Sequence, residues 1–174
     1  MDLKDNKKGL LLAGQGNSKK VIVAAILLGV GLAGLIDTIV FHEILQWHHM
    51  ISNKIQPNTI DTIRLNVLWD GLFLTIALVV TIVGVGLLWS AAHKKETFPI
   101  RWEFIGLLLF SFGLFNIIEG IINHHILSLH HVKDDPNPLI WDLTFLAIAG
   151  VLFIGIGWAL MMRKSTQIVH QRVT

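Results

Sequence analysis

Histidine is the residue whose number and spacing in this sequence point most clearly to chemistry. The chain of 174 residues contains nine histidines, and seven of them fall in two short windows. These seven are His42, His48, His49, His124, His125, His130 and His131. Imidazole is a common ligand of zinc, copper, iron and nickel. Because the chain has no cysteine, disulfides, iron–sulfur clusters and thiolate metal sites are excluded.

The two histidine windows align with each other along the chain. Residues 36–50 (IDTIVFHEILQWHHM) align without gaps on residues 118–132 (IEGIINHHILSLHHV), and seven of the 15 positions are identical. Three of the identical positions are histidine pairs, and an acidic residue also faces an acidic residue. A Trp-Asp dipeptide at 69–70 recurs at 141–142. Chance similarity among apolar residues does not produce such matches, so the pattern predicts a tandem duplication.

Four acidic residues lie inside otherwise apolar stretches, one in each stretch. They are Asp37, Asp70, Glu119 and Asp142. A carboxylate at the centre of a bilayer costs about 2.5–3.5 kcal/mol, so it usually faces a bundle interior or a wet cavity. The alternative is that these acids are hydrated near the lipid headgroups, and it is strongest for Asp142, which follows Pro138 closely.

Helical geometry predicts which of these side chains meet. At 100° per residue, His42 and His49 share one face of a helix, while Asp37 and His48 share another face. The second window repeats this arrangement. Two such helices facing a common axis would bring four histidines together, with two aspartates entering from the other helices. The four histidines are His42, His49, His124 and His131, and the two aspartates are Asp70 and Asp142.

The candidate metal ligands combine the histidines of both windows with the neighbouring carboxylates. The full set is His42, His49, His124, His131, Asp70, Asp142, Asp37, Glu119, His48, His130, His125 and Glu43. Imidazole with carboxylate suits copper, zinc or iron. A duplicated set predicts two equivalent ions or one dinuclear centre. The carboxylates would either bind the ion or hold the imidazoles in place by hydrogen bonds.

Several other interpretations remain open at this stage. The histidines could form a proton relay or a pH sensor, and the pairs 48–49 and 130–131 could be solvated helix ends. The site could belong to a membrane oxidoreductase with a di-iron or copper centre. It could also belong to a b-type haem protein with His42 and His124 as axial ligands. The sequence alone predicts no reaction, and so leaves open whether the protein is an enzyme.

The elements that must position these residues follow from composition. The chain is 53% hydrophobic and 15% charged, against about 45–50% and 25% in soluble domains. Charge is almost absent from residues 21–41, 65–92, 104–123 and 138–162. Each stretch reaches the roughly 20 residues that cross a bilayer as a helix. The prediction is an all-α integral membrane four-helix bundle built from two tandem two-helix repeats. A net charge of +2 argues against nucleic-acid binding.

The predicted organisation has a cytoplasmic tail (1–20), a transmembrane domain (21–164, with repeats at 21–92 and 101–164) and a second tail (165–174). Eleven of the 14 lysines and arginines lie in the tails and the middle connection. The positive-inside rule therefore places these parts in the cytoplasm and the histidine windows toward the outside of the plasma membrane. The expected partners are the lipid bilayer and a metal ion, and a homo-oligomer or a second membrane protein is compatible with the pattern.

The paired motifs at 37–50 and 119–132, with Trp69-Asp70 and Trp141-Asp142, resemble a family of small bacterial membrane proteins known only as a domain of unknown function. The resemblance extends over nearly the whole chain after residue 20. It implies a plasma-membrane protein with four spans, and it brings no activity that could be assigned to particular residues.

Overall fold

A computed structural model describes residues 18–163 of the chain and shows four helices connected in sequence. They are α1 (Lys19–Ile44), α2 (Ile60–His93), α3 (Arg101–Ile126) and α4 (Pro138–Met161). All four are long and apolar enough to cross a membrane. This confirms the predicted four-helix membrane bundle, and most of the two predicted tails lies outside the described residues.

The first helix of each half forms the centre of the bundle. Helices α1 and α3 pack against each other, while α2 packs on α1 and α4 packs on α3. In the most apolar segment of each helix, 44% of α1 and 39% of α3 is buried, against 11% of α2 and 17% of α4. The outer surface of α2 exposes large apolar side chains such as Ile76 and Ile82. Such a surface suits contact with lipid acyl chains.

Glycines allow the helix backbones to approach closely. A Cβ atom on Gly29 of α1 would lie 2.2 Å from the carbonyl oxygen of Leu108 in α3, and one on Gly157 of α4 would lie 2.5 Å from the backbone nitrogen of Phe110. Lipid tails are as apolar as leucine, so helices in a bilayer associate through close packing. The central pair and the α3–α4 pair therefore depend on small residues at these contacts.

Helices α1 and α3 both widen into a π-helical turn at their ends, over Thr38–Ile44 and Ile121–Ile126. The amide of Leu45 donates to the carbonyl of Val40, and that of Leu127 donates to the carbonyl of Ile122. A residue with positive φ follows each turn, Gln46 at 48° and Ser128 at 47°. Such φ values are uncommon outside glycine. Both helices therefore end before the second pair of histidines in each window.

The close contact at Gly157 gives a stability test. We expect Gly157→Ala to lower the melting temperature in detergent by about 5 °C, because the added methyl group overpacks the backbone of α3. The matched control is Gly155→Ala on the same helix, where a Cβ meets nothing within 4 Å. Alanine favours the helix there by about 1 kcal/mol, so stability should not fall. Equal melting temperatures for the two variants would contradict this packing.

Candidate metal centre

Four imidazole rings meet in the interior at one end of the bundle. They belong to His42, His48, His124 and His130, and we call them the four-histidine cluster. Their exposed fractions lie between 0 and 4%. The ring centroids of His42 and His48 are 4.3 Å apart, those of His48 and His130 are 4.5 Å apart, and those of His124 and His130 are 4.7 Å apart. The cluster draws two histidines from each half of the chain.

The membership of the cluster corrects one prediction. The helical wheel brought His49 and His131 to the common axis, but His48 and His130 occupy that place. The wheel assumes 100° per residue without interruption, whereas α1 changes to a π turn and ends at Ile44. The pairs of adjacent histidines therefore lie in irregular segments, where the wheel does not apply. The predicted convergence of His42 and His124 agrees with the structure.

Backbone carbonyl groups hold His48 and His130 in a reciprocal arrangement. The Nδ1 atom of His48 lies 2.7 Å from the carbonyl oxygen of Val132, and that of His130 lies 2.9 Å from the carbonyl oxygen of Met50. A carbonyl oxygen only accepts hydrogen bonds, so both Nδ1 atoms donate. Each histidine is thus anchored by the other half of the chain. Sequence reasoning missed these anchors, although Met50 and Val132 are matched positions of the two windows.

The Nε2 atoms of this pair are left without partners. Among the described residues, neither Nε2 atom has a hydrogen-bond partner, and that of His42 also lacks one. Burial holds the pKa of His48 well below its usual range, and the neighbouring His130 lowers that pKa further. His48 is therefore neutral at pH 7, and its Nε2 carries a free lone pair.

Asp70 in α2 anchors the first window. Its Oδ1 atom lies 2.7 Å from the Nδ1 atom of His42 and accepts a 2.7 Å hydrogen bond from the amide of Met50. Its Oδ2 atom lies 2.6 Å from the Nδ1 atom of His49. The carboxylate itself is fully buried. His49 therefore contacts the anchoring acid and is one shell outside the four-histidine cluster.

Asp142 in α4 holds the second window in a similar way. Its Oδ2 atom lies 2.6 Å from the Nδ1 atom of His131, and its Oδ1 atom accepts a 2.8 Å hydrogen bond from the amide of Val132. The Nδ1 atom of His124 is 3.4 Å from Oδ1 and makes no hydrogen bond with it. The two halves thus use matching residues, with a looser contact at His124.

The other two acids lie beside the cluster. The Oδ2 atom of Asp37 is 3.5 Å from the Nε2 atom of His42. Glu119 approaches His130 Nε2 at 3.6 Å and His124 Nε2 at 3.9 Å, and it accepts a 2.9 Å hydrogen bond from the side-chain amide of Asn123. Both acids are 7% exposed. All four acids of the apolar stretches are therefore buried, which argues against the hydrated alternative.

Two overlapping groups of side chains could hold an ion. The first consists of His42, His48 and His130, and the second of Glu119, His124 and His130. Within each group the donor atoms lie within 4.8 Å of one another. Zinc binds imidazole nitrogen at about 2.0–2.1 Å, which places two ligand atoms about 3–4 Å apart. A contraction of about 1 Å would let either group coordinate an ion.

Two predicted ligands do not join the cluster. Glu43 and His125 are both exposed, and the ring of His125 is 6.4 Å from that of His124. Each directly follows a cluster histidine in the sequence. Their side chains therefore leave the helix in a direction away from the bundle interior.

Comparison with known proteins gives a family. Residues 24–164 match the family described as "Predicted membrane protein (DUF2243)". The chain belongs to this family. No curated protein and no solved structure matches it. Membership of the DUF2243 family agrees with the four apolar helices, whereas the candidate metal centre rests on the geometry described above.

The anchoring role of Asp70 can be tested through stability. We expect Asp70→Asn to lower the melting temperature by about 10 °C, because an amide places an N–H group opposite donors that need an acceptor. Asp61→Asn on the same helix is the control, since the Asp61 side chain is 94% exposed and lies 3.8 Å from Arg64. Thermal unfolding followed by circular dichroism measures both. Equal melting temperatures for D70N and D61N would contradict the anchoring role.

Proposed function

We propose that this protein binds a transition metal ion at the four-histidine cluster, near the outer leaflet of the plasma membrane. The observation that carries the proposal is the set of buried Nε2 atoms without partners on His42, His48 and His130. Burying a polar atom without a partner costs about 1–3 kcal/mol. A cation at the centre of the cluster would accept all of these lone pairs at once.

The hydrogen bonds at Nδ1 support the same proposal. Metal-binding histidines almost always donate their other ring nitrogen to a carboxylate or a carbonyl group, which fixes the tautomer and the ring orientation. Here Asp70 takes that place for His42, and the carbonyl groups of Val132 and Met50 take it for His48 and His130. The imidazoles are therefore oriented before an ion arrives.

The donor set indicates the class of metal. Imidazole with carboxylate suits zinc, copper(II) and iron, whereas copper(I) prefers sulfur ligands, and the chain has no cysteine. His130 belongs to both ligand groups, so one ion at the centre or two adjacent ions fit the arrangement. Handling or sensing of such a metal is the function that we propose.

The paired contacts also support the proposed duplication. Asp70 and Asp142 lie 72 residues apart, and each accepts from a histidine and from the next backbone amide. His48 and His130 lie 82 residues apart and exchange equivalent contacts. We infer that two ancestral two-helix units each supplied half of the site.

A membrane oxidoreductase with a di-iron or copper centre is the second candidate. It is favoured by the two ligand groups that share His130, because dinuclear centres hold their ions about 3.5–4 Å apart. Haem is less compatible with the cluster. The rings of His48 and His130 lie 4.3 and 4.7 Å from those of His42 and His124, so they occupy the space that a macrocycle between two axial histidines needs.

Metal analysis of neighbouring variants tests the proposed site. The purified protein is stripped with a chelator and equilibrated with Zn²⁺, Cu²⁺ or Fe²⁺, and bound metal is measured by mass spectrometry. We expect one or two ions per chain, and a loss of affinity of about 100-fold or more in His124→Ala or His130→Ala. His125→Ala is the matched control, since that side chain is exposed.

Two results would contradict the metal proposal. The first is the absence of saturable binding of all three ions by a folded protein. The second is an equal affinity of the His124→Ala and His125→Ala variants, which would move the ion outside the cluster. A Soret band in the purified protein would instead support the haem alternative.

The proposed orientation can be tested because the native chain has no cysteine. Asn58→Cys lies before α2 and Thr97→Cys lies between α2 and α3, and both positions are exposed. We expect a membrane-impermeant maleimide to label the Asn58→Cys protein in intact cells and the Thr97→Cys protein only after lysis. The reverse pattern would place the cluster on the cytoplasmic side.

A further inference from the structure

An apolar crevice runs between α1 and α4 beside the four-histidine cluster. It consists of two cavities of about 230 and 190 Å³ that share Phe41, Phe145, Ile148 and Ala149. The first cavity extends to the indole rings at positions 47 and 141. The second extends in the other direction to Asp37. The crevice therefore connects aromatic side chains at one end with a buried carboxylate at the other.

Asp37 lacks a good hydrogen-bond donor in this crevice. In the described part of the chain its one polar contact is His42 Nε2 at 3.5 Å, which is long for a hydrogen bond. Its counterpart Glu119 accepts from Asn123. The position equivalent to Asn123 in the first window is Phe41, which has no donor. Asp37 can therefore accept a hydrogen bond from a molecule in the crevice.

The crevice opens on a surface that faces lipid. Ile36 and Ile148 line it from α1 and α4, and their side chains are 47% and 55% exposed. Both helices are candidate membrane spans. A ligand would thus enter sideways from the bilayer, where neutral apolar molecules concentrate and charged ones do not.

The lining selects the chemistry of the ligand. Phe41 and Phe145 meet edge to face with centroids 5.8 Å apart, and aromatic rings favour further rings in offset or edge contacts. An apolar cavity of about 150 Å³ is large enough for one benzene ring, so each cavity can take a ring or a short alkyl chain. The carboxylate at the inner end requires a donor.

We propose that the crevice binds a lipid-soluble molecule of the phenol class, which includes quinols, with its hydroxyl group donating to Asp37. The proposal rests on the crevice and on Asp37, and it does not depend on a metal ion in the cluster. Because Asp37 lies beside His42, such a ligand would place its oxygen next to the four-histidine cluster.

Tryptophan fluorescence can test this proposal in the purified protein in lipid nanodiscs. The probes are a bromine-substituted hexylphenol and its methyl ether, since bromine quenches the indoles of Trp47 and Trp141, which line the crevice. Ala149→Leu fills the crevice. Ala147→Leu is the matched control, because Ala147 lies on the same helix and is exposed. Asp37→Asn removes the charged acceptor.

We expect saturable quenching by the phenol in the native protein and in the Ala147→Leu variant, and its loss in Ala149→Leu. The phenol should bind about tenfold more tightly than the ether, because a hydrogen bond to a charged group contributes about 1.5 kcal/mol or more. In Asp37→Asn this ratio should fall toward one. If Ala149→Leu does not fold, the ratio in Asp37→Asn decides alone. Equal affinities of phenol and ether for the native protein, or equal quenching of Ala149→Leu and Ala147→Leu, would overturn the proposal.

Discussion

The buried carboxylates of Asp70 and Asp142 organise the rest of the site. A carboxylate in a membrane interior is stable only when donors or cations surround it, and each of these acids recruits a histidine and a backbone amide from the segment that follows the preceding helix. The amide that Asp70 binds belongs to Met50, and the carbonyl of Met50 in turn holds His130. Asp142 holds the amide of Val132, whose carbonyl holds His48. Each acid therefore fixes a cluster histidine of the other half through a single backbone residue.

This arrangement explains why the cluster points inward with free lone pairs. The Nδ1 atoms of His42, His48 and His130 all have acceptors, so their Nε2 atoms face one another without donors. The two halves nevertheless differ beside the cluster. Glu119 is held by Asn123, whereas Asp37 faces an apolar crevice lined by Phe41. The proposed duplication thus supplies a nearly symmetric ion site, and one substitution between the halves leaves one side of it open to the bilayer.

Much of the fold and part of the site could be predicted from the sequence. The four spans follow from length and apolar composition, and the burial of Asp37, Asp70, Glu119 and Asp142 follows from the cost of a charge in lipid. The choice between His48 and His49 could not be predicted in the same way. It depends on a π turn and on a residue with positive φ at Gln46, where neither glycine nor proline marks the change. The carbonyl anchors join residues more than 80 positions apart, and no local pattern encodes them.

X-ray absorption spectroscopy of the metal-loaded protein tests the central claim most directly, because it counts the ligands around the bound ion. With Zn²⁺ bound, the account predicts a nitrogen shell at about 2.0–2.1 Å, with the multiple scattering of at least three imidazole rings per ion. A mononuclear ion would show three or four rings, and a dinuclear centre would add a metal–metal distance of about 3.5–4 Å. A shell of oxygen atoms with no imidazole scattering would contradict the assignment of the cluster as a metal site.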